Sequence, residues 1–283
     1  MTNVTLVMPR FKYAAGDFSL GLASIASYLK QSLKDVQVHA VDATFDPDME
    51  HIAEQLRQHP ADITGIFMDT LMYRDALAVA RIAKKHSPFV IVGGPHPSIL
   101  PETVISDDSV DAVCIGEGEQ TFSELVSSRK EGKSLEGVKG LWFKSDGAVV
   151  KNERRMPIED IDTLPLPDIE IFDVERYIAN FIQLDSYSPN LRGMSVIVSR
   201  GCPFGCSYCQ PVLDTIFGKR FRIRSPRKTV EDLKYLKQKY RLDGVYFQDD
   251  TLTVSRKWMA EFCALAVSER LDMVWACNTR ADW

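Results

Sequence analysis

The sequence predicts an α/β protein made of two successive strand-and-helix arrays: a doubly wound parallel sheet, then a shorter β/α array. Apolar segments at residues 4–8, 36–41, 62–68, 89–92 and 110–115 read as strands buried on both faces. Helical segments separate them, and strict alternation of the two gives a parallel sheet covered on both sides. After a proline-broken stretch, residues 194–283 repeat the pattern as strand, helix, strand, helix, strand.

The first strand, 4–8, runs into a polar loop that extends through Asp17. Leu20, Leu22, Ala23, Ile25, Ala26 and Leu29 then recur at helical spacing. The second strand ends at Asp42 and precedes a helix over 49–58; the third precedes a helix over 73–86. Gly93-Gly94-Pro95 stops the fourth strand, and a short helix is expected over 99–106. A helix over 119–129 follows the fifth strand. Residues 140–150 read as a hairpin turning at Asp146-Gly147. Pro157, Pro165, Pro167 and Pro189 break any long element in 151–190, which reads as a connector wrapping one domain. Tyr177, Phe181 and Tyr187 anchor that connector to the core or shield a substrate channel. The expected division is residues 1–135, a hairpin and connector over 136–190, and residues 191–283.

In the second array, residues 194–198 form a buried strand. The run Gly218-Lys219-Arg220-Phe221-Arg222-Ile223-Arg224-Ser225-Pro226-Arg227-Lys228 is strongly basic, and reads mainly as a solvated face. One or two of its arginines are candidates to meet an anionic ligand group. Ser225-Pro226 supplies an N-cap and first position for a helix through Tyr240. The next strand, from Gly244, ends in Asp249-Asp250. Ser255 caps a helix with Trp258, Phe262, Leu265 and Ala266 on its inner face, and residues 273–278 form a third strand.

Composition narrows the function. The chain of 283 residues carries a net charge of −5, which argues against a general nucleic-acid binder. It has no apolar run as long as a membrane span and no basic, signal-like start. Clustered cysteines without a disulfide-rich composition point to a reducing, cytoplasmic setting. In doubly wound sheets a ligand sits beyond the carboxyl ends of the strands. The loops there are 9–17, 69–72, 93–98 and 116–118. Gly93 and Gly94 leave room for a large ligand, unless they are simple turn residues. Gly116-Glu117-Gly118-Glu119 offers backbone amides ahead of a helix, suited to a phosphate or amide tail.

The chemistry centres on Ser199-Arg200-Gly201-Cys202-Pro203-Phe204-Gly205-Cys206-Ser207-Tyr208-Cys209-Gln210. Thiolates hold iron–sulfur clusters, usually four at a time. Three in one loop leave an iron open to a substrate. The alternative, half a structural zinc site, needs four ligands, while Cys114, Cys263 and Cys277 are single and scattered. The Cys-x-x-x-Cys-x-x-Cys spacing, with Tyr208 before the last cysteine, resembles the radical S-adenosylmethionine (SAM) enzymes. The resemblance implies that Cys202, Cys206 and Cys209 hold a 4Fe–4S cluster. Its open iron chelates SAM, which an electron cleaves to a 5′-deoxyadenosyl radical. The resemblance also gives Tyr208, Asp249 and Asp250 contacts to SAM, the two carboxylates accepting from its amino group.

Gly93-Gly94-Pro95-His96-Pro97 followed by Gly116-Glu117-Gly118-Glu119 resembles the flavodoxin/Rossmann-like cobalamin-binding domain that precedes the catalytic domain in one class of these enzymes. By that resemblance Thr70, Gly93, Gly94, Pro95, His96, Gly116, Glu117 and Gly118 line a cobalamin site, although His96 between prolines also fits a packing role. Other cobalamin domains carry Asp-x-His-x-x-Gly, whose His ligates cobalt. Here Asp17-Phe18-Ser19-Leu20-Gly21-Leu22 has neither that His nor that Gly, so a cobalamin without a histidine ligand is expected. The second array resembles about half of the family's (β/α) partial barrel, related to the TIM barrel. A chain truncated within the barrel is therefore expected. The implied function is a cobalamin-dependent radical SAM enzyme that methylates an unactivated carbon. Radical cyclisation of the oxidative-cyclase type and a non-catalytic cofactor-binding fragment are the alternatives. The implied partners are a small-molecule substrate and a reductant such as flavodoxin or ferredoxin.

Overall fold

Five parallel strands build the first sheet in the order β2-β1-β3-β4-β5. The computed structural model describes residues 1–10, 17–209 and 212–282. Most of the loop expected over 9–17, residues 11–16, lies outside the described residues. The strands are β1 (Thr2–Met8), β2 (Val36–Asp42), β3 (Ile63–Phe67), β4 (Val90–Gly93) and β5 (Ala112–Cys114), and the helices between them begin with α1 (Leu20–Ser32), α2 (Met49–Gln58) and α3 (Tyr73–Ala83). Register is tight: Val4 faces both Val38 and Ile63, and Thr64 faces Val90. The expected helix over 99–106 is instead two short helices, α4 (Pro95–Ile99) and α5 (Pro101–Ile105). Pro101 has no N–H and disfavours helical geometry at Leu100, so the break falls there. Helix α6 (Gly118–Lys130) follows β5.

The hairpin does not stand apart. Its strands β6 (Leu141–Ser145) and β7 (Ala148–Lys151) add antiparallel to β5 and complete a seven-stranded sheet. Asp146 (φ 48°) and Gly147 (φ 78°) are both left-handed, as a two-residue turn of this type requires.

Alternation along β1 separates two cores. Leu6 joins α1 and α6, through Leu22, Ala26, Phe122 and Leu125. Val7 joins α2, α3 and α5, through Ile52, Leu56, Ala80 and Val104. The first core runs on without a break into the second array, through Phe18, Phe172 and Tyr177 to Met194, Val230 and Phe247. Tyr177, in α7 (Val174–Ala179), is buried, with Phe18 and Phe45 at 5.3 and 4.8 Å from its ring. Its hydroxyl donates to Asp42 at 2.5 Å. Tyr177 therefore anchors the connector, while Tyr187 is 71 % exposed.

The second array has three parallel strands, β8 (Gly193–Val196), β11 (Gly244–Phe247) and β12 (Val274–Cys277), in the order β12-β11-β8. A two-residue ladder joins β9 (Ser199–Arg200) to β10 (Arg222–Ile223). Three helices complete the array: α8 (Val212–Phe217), α9 (Pro226–Tyr240) and α10 (Arg256–Ser268). Ser225 and Ser255 cap α9 and α10, accepting from Lys228 N and Trp258 N at 3.2 Å each. At the amino ends of the strands, Phe181 and Leu184 occupy the space that side chains at Gly193 and Gly244 would need.

The solvated-face reading of the basic run fails at two positions. Lys219, Arg220 and Arg227 are exposed, but Arg222 and Arg224 are buried. Arg224 donates to the Leu164 and Pro165 carbonyls at 3.0 and 3.1 Å and pairs with Asp232 at 3.2 Å. These guanidinium groups bind connector backbone that would otherwise lack donors.

Candidate functional site

The cysteine loop leaves the carboxyl end of β8, and Asp249, just beyond β11, fixes its root. The Asp249 side chain is fully buried and accepts from Val198 N at 3.0 Å, from Ser199 Oγ at 2.5 Å and from Ser199 N. Burial pushes its carboxyl up to about 6. All three bonds fall on Oδ1, which ties Asp249 to the strand-to-loop turn, while the buried Oδ2 has no partner among the described residues. Asp250, beside it, is exposed and offers its carboxylate to that end of the sheet.

Within the loop, Cys202 Sγ lies 3.6 Å from Thr251 Oγ1, and Arg280 Nη1 lies 3.4 Å from Cys206 Sγ. The Arg280 guanidinium covers the Phe204 ring at 4.4 Å. Cys209 is exposed and Tyr208 is 90 % exposed. No three metal-ligating side chains converge among the described residues. The three thiols share one loop. The donor set fits an iron–sulfur cluster: three cysteines on a short segment rooted at a strand end, beside an arginine that can neutralise thiolate charge. Cys114 is buried in β5, and burial pushes its thiol up to about 12.

At the carboxyl edge of the first sheet lies a cavity of about 340 Å³. Its walls are largely apolar, with Leu6, Ile91 and Phe122 among them, and Gly65, Gly93 and Gly118 widen it. A Cβ on Gly65 would meet Phe122 at 2.8 Å, and one on Gly118 would meet Ile25 at 2.9 Å. Val212, Leu213, Ile216 and Phe217 of α8 close the cavity from the second array. The third cysteine and this lid are thus near neighbours in sequence. α8 was not anticipated, although its apolar pairs 212/216 and 213/217 stand at helical spacing.

The loops around the cavity are interlocked. Gly94 (φ 119°) brings the loop after β4 onto the Met68 carbonyl, where a Cβ would sit 2.6 Å away. Pro95 opens α4. Ser98 Oγ donates to the Gly94 carbonyl at 2.8 Å and accepts from Gly116 N at 3.0 Å. The Gly116 amide, expected to be free for a ligand, is therefore occupied. His96 is buried; its Nδ1 lies 3.1 Å from Thr70 Oγ1 and its ring 4.8 Å from the Tyr73 ring. Burial lowers its pKa, which favours a neutral imidazole. Glu117 lines the cavity, and its carboxylate also pairs with Arg200 at 3.2 Å and Arg222 at 2.6 Å, both from the second array.

Residues 16–126 match the B12 binding domain family, and residues 196–281 match the radical SAM superfamily. The chain carries a B12-binding domain followed by a radical SAM domain. It is 34 % identical over 268 residues to an uncharacterized methyltransferase of Pyrococcus horikoshii, covering 93 % of this chain and 55 % of that protein. It is 31 % identical to the anaerobic magnesium-protoporphyrin IX monomethyl ester cyclase of Rubrivivax gelatinosus, covering 92 % of this chain and 46 % of the cyclase. The chain thus spans about half the length of these curated relatives. The cobalamin-dependent SAM radical enzyme OxsB, solved with aqua-cobalamin and SAM, shares the fold over all of this chain at a TM-score of 0.80 and 19 % identity, with 39 % of OxsB covered. No helix among the described residues is long and apolar enough to cross a membrane.

Proposed function

We propose that this chain is the cofactor-binding part of a cobalamin-dependent radical SAM enzyme that methylates an unactivated carbon of a small molecule. The observation that carries the reading is the shared boundary between the two sites. The glycine-widened cavity of the B12-binding domain is closed by α8, which follows the cysteine loop of the radical SAM domain. When bound, the cluster and SAM would supply a carbon radical, and cobalamin would carry the methyl group. Cobalamin's benzimidazole is a flat apolar group, and the cavity's apolar walls fit it in polarity and size. Gly93 and Gly94 leave its approach open, whereas His96 and Thr70 pair with each other outside the cavity lining. Cys202, Cys206 and Cys209 would hold the cluster. Asp250 would receive the SAM amino group, and Tyr208 would offer a second contact to SAM. A reductant of the flavodoxin or ferredoxin class would deliver the electron.

Formation of 5′-deoxyadenosine from SAM by the reconstituted, reduced chain tests the reading. Product is expected from wild type and not from Cys206→Ala, whose B12-binding domain stays folded. Equal product from both would refute the ligand assignment, and none from wild type would leave a binding module. The likeness to the cyclase supports a second reading, radical cyclisation. SAM labelled in its methyl group separates the two, because only methylation carries the label into the product.

A further inference from the structure

Four charges, three of them buried, join the domains at one point. Arg200 Nη1 lies 3.2 Å from Glu117 Oε2, and Arg200 Nη2 pairs with Glu119. Arg222 Nη2 lies 2.6 Å from Glu117 Oε1, and Arg222 Nη1 donates to the Ile158 carbonyl at 2.7 Å. Ile158 N in turn donates to Glu117 Oε2 at 2.9 Å. The B12-binding domain, the connector and the radical SAM domain thus meet in one network. The side chains of Glu117 and Glu119 are 4 % and 5 % exposed, and that of Arg200 is 16 % exposed. Burial alone would lower the Arg200 pKa; Glu119 and Glu117 more than offset it, so the guanidinium stays charged.

Such a network adds little stability over apolar packing of the same volume, but it accepts only one geometry. The planar guanidinium must meet both carboxylates together, whereas the apolar contact of α8 on the cavity wall can slide. Two further facts show what is being held. Arg200, Glu117 and Glu119 line the cavity. Arg200 also precedes Gly201, whose φ of 82° and close approach to the Arg220 carbonyl exclude a Cβ, and the next residue is Cys202.

We propose that Arg200 is a positioning residue. Through Glu117 and Glu119 it holds the root of the cysteine loop in fixed register with the cavity of the B12-binding domain. The occupant of the cavity then sets the order of the cluster loop. Only the identity of that occupant rests on the function proposed above.

The test is hydrogen exchange of the apo chain and of the chain with aquocobalamin. The variant is Arg200→Met combined with Glu119→Gln, which leaves Glu117 paired with Arg222. Exchange over residues 198–206 should quicken about tenfold while β3 is unchanged, because the opening is local. Aquocobalamin should protect residues 116–119 and 198–206 in wild type, but only 116–119 in the double variant. Arg200→Lys keeps the charge and should recover part of the transmitted protection; it also serves if the double variant does not fold. Equal quickening of β3 and 198–206 would mean general destabilisation and would overturn the proposal. So would protection of 198–206 that survives the double substitution. If aquocobalamin protects neither segment in wild type, the cobalamin reading falls, and apo exchange still decides the role of Arg200.

Discussion

Gly94 and Asp249 each hold a loop in place, by opposite means. Gly94 does so by lacking a side chain, since a Cβ would strike the Met68 carbonyl and φ is 119°. Gly94→Ala should cost about 1–3 kcal/mol. A lowered thermal midpoint and weaker cobalamin retention would register that cost. Asp249 acts through its carboxylate, which burial pushes up to about 6 from an ordinary 3.8. The folded chain therefore binds a proton that the unfolded chain releases. The stability this contributes is complete below 3.8 and is lost as pH rises through about 6. Asp249→Asn should lack that loss, so its stability relative to wild type should improve between about pH 5 and about pH 7. Denaturant midpoints at the two pH values measure it, and a constant difference would contradict the assignment. Gly93-Gly94 and Asp249-Asp250 were both visible in the sequence as special positions. Their partners, Met68 and the Val198–Ser199 backbone, are distant in sequence and were not.

Strands and long helices could be read because period and burial agree along each segment. Where an element depends on a partner elsewhere, the sequence reading failed. The basic run 218–228 looks solvated until Arg222 meets Glu117 and Arg224 meets the Leu164 and Pro165 carbonyls. Helix α8 is short, and none of its residues is fully buried, so its apolar pairs gain meaning only against the cavity. Gly118, the first residue of α6, lines that cavity opposite Ile25. Gly118→Leu should fill the slot and weaken aquocobalamin binding about tenfold or more, the scale of a few lost apolar contacts. An absorbance titration would show this, with iron uptake unchanged. Undiminished binding would move the cofactor elsewhere.

At the scale of the whole molecule, one apolar core passes from the seven-stranded sheet into the three-stranded one, and the connector is pinned to both. The order of the domains and their resemblances were legible from the cysteine spacing and the glycine loops. The interface was not, because nothing in the sequence shows that Glu117 and Glu119, besides lining the cavity, meet Arg200 and Arg222. The central claim is that two cofactor sites share that interface. Metal content after anaerobic reconstitution with iron, sulfide and cobalamin tests it most directly. About four irons and about one cobalt per folded chain are expected from the ligand sets. A folded chain that retains neither metal would contradict the account.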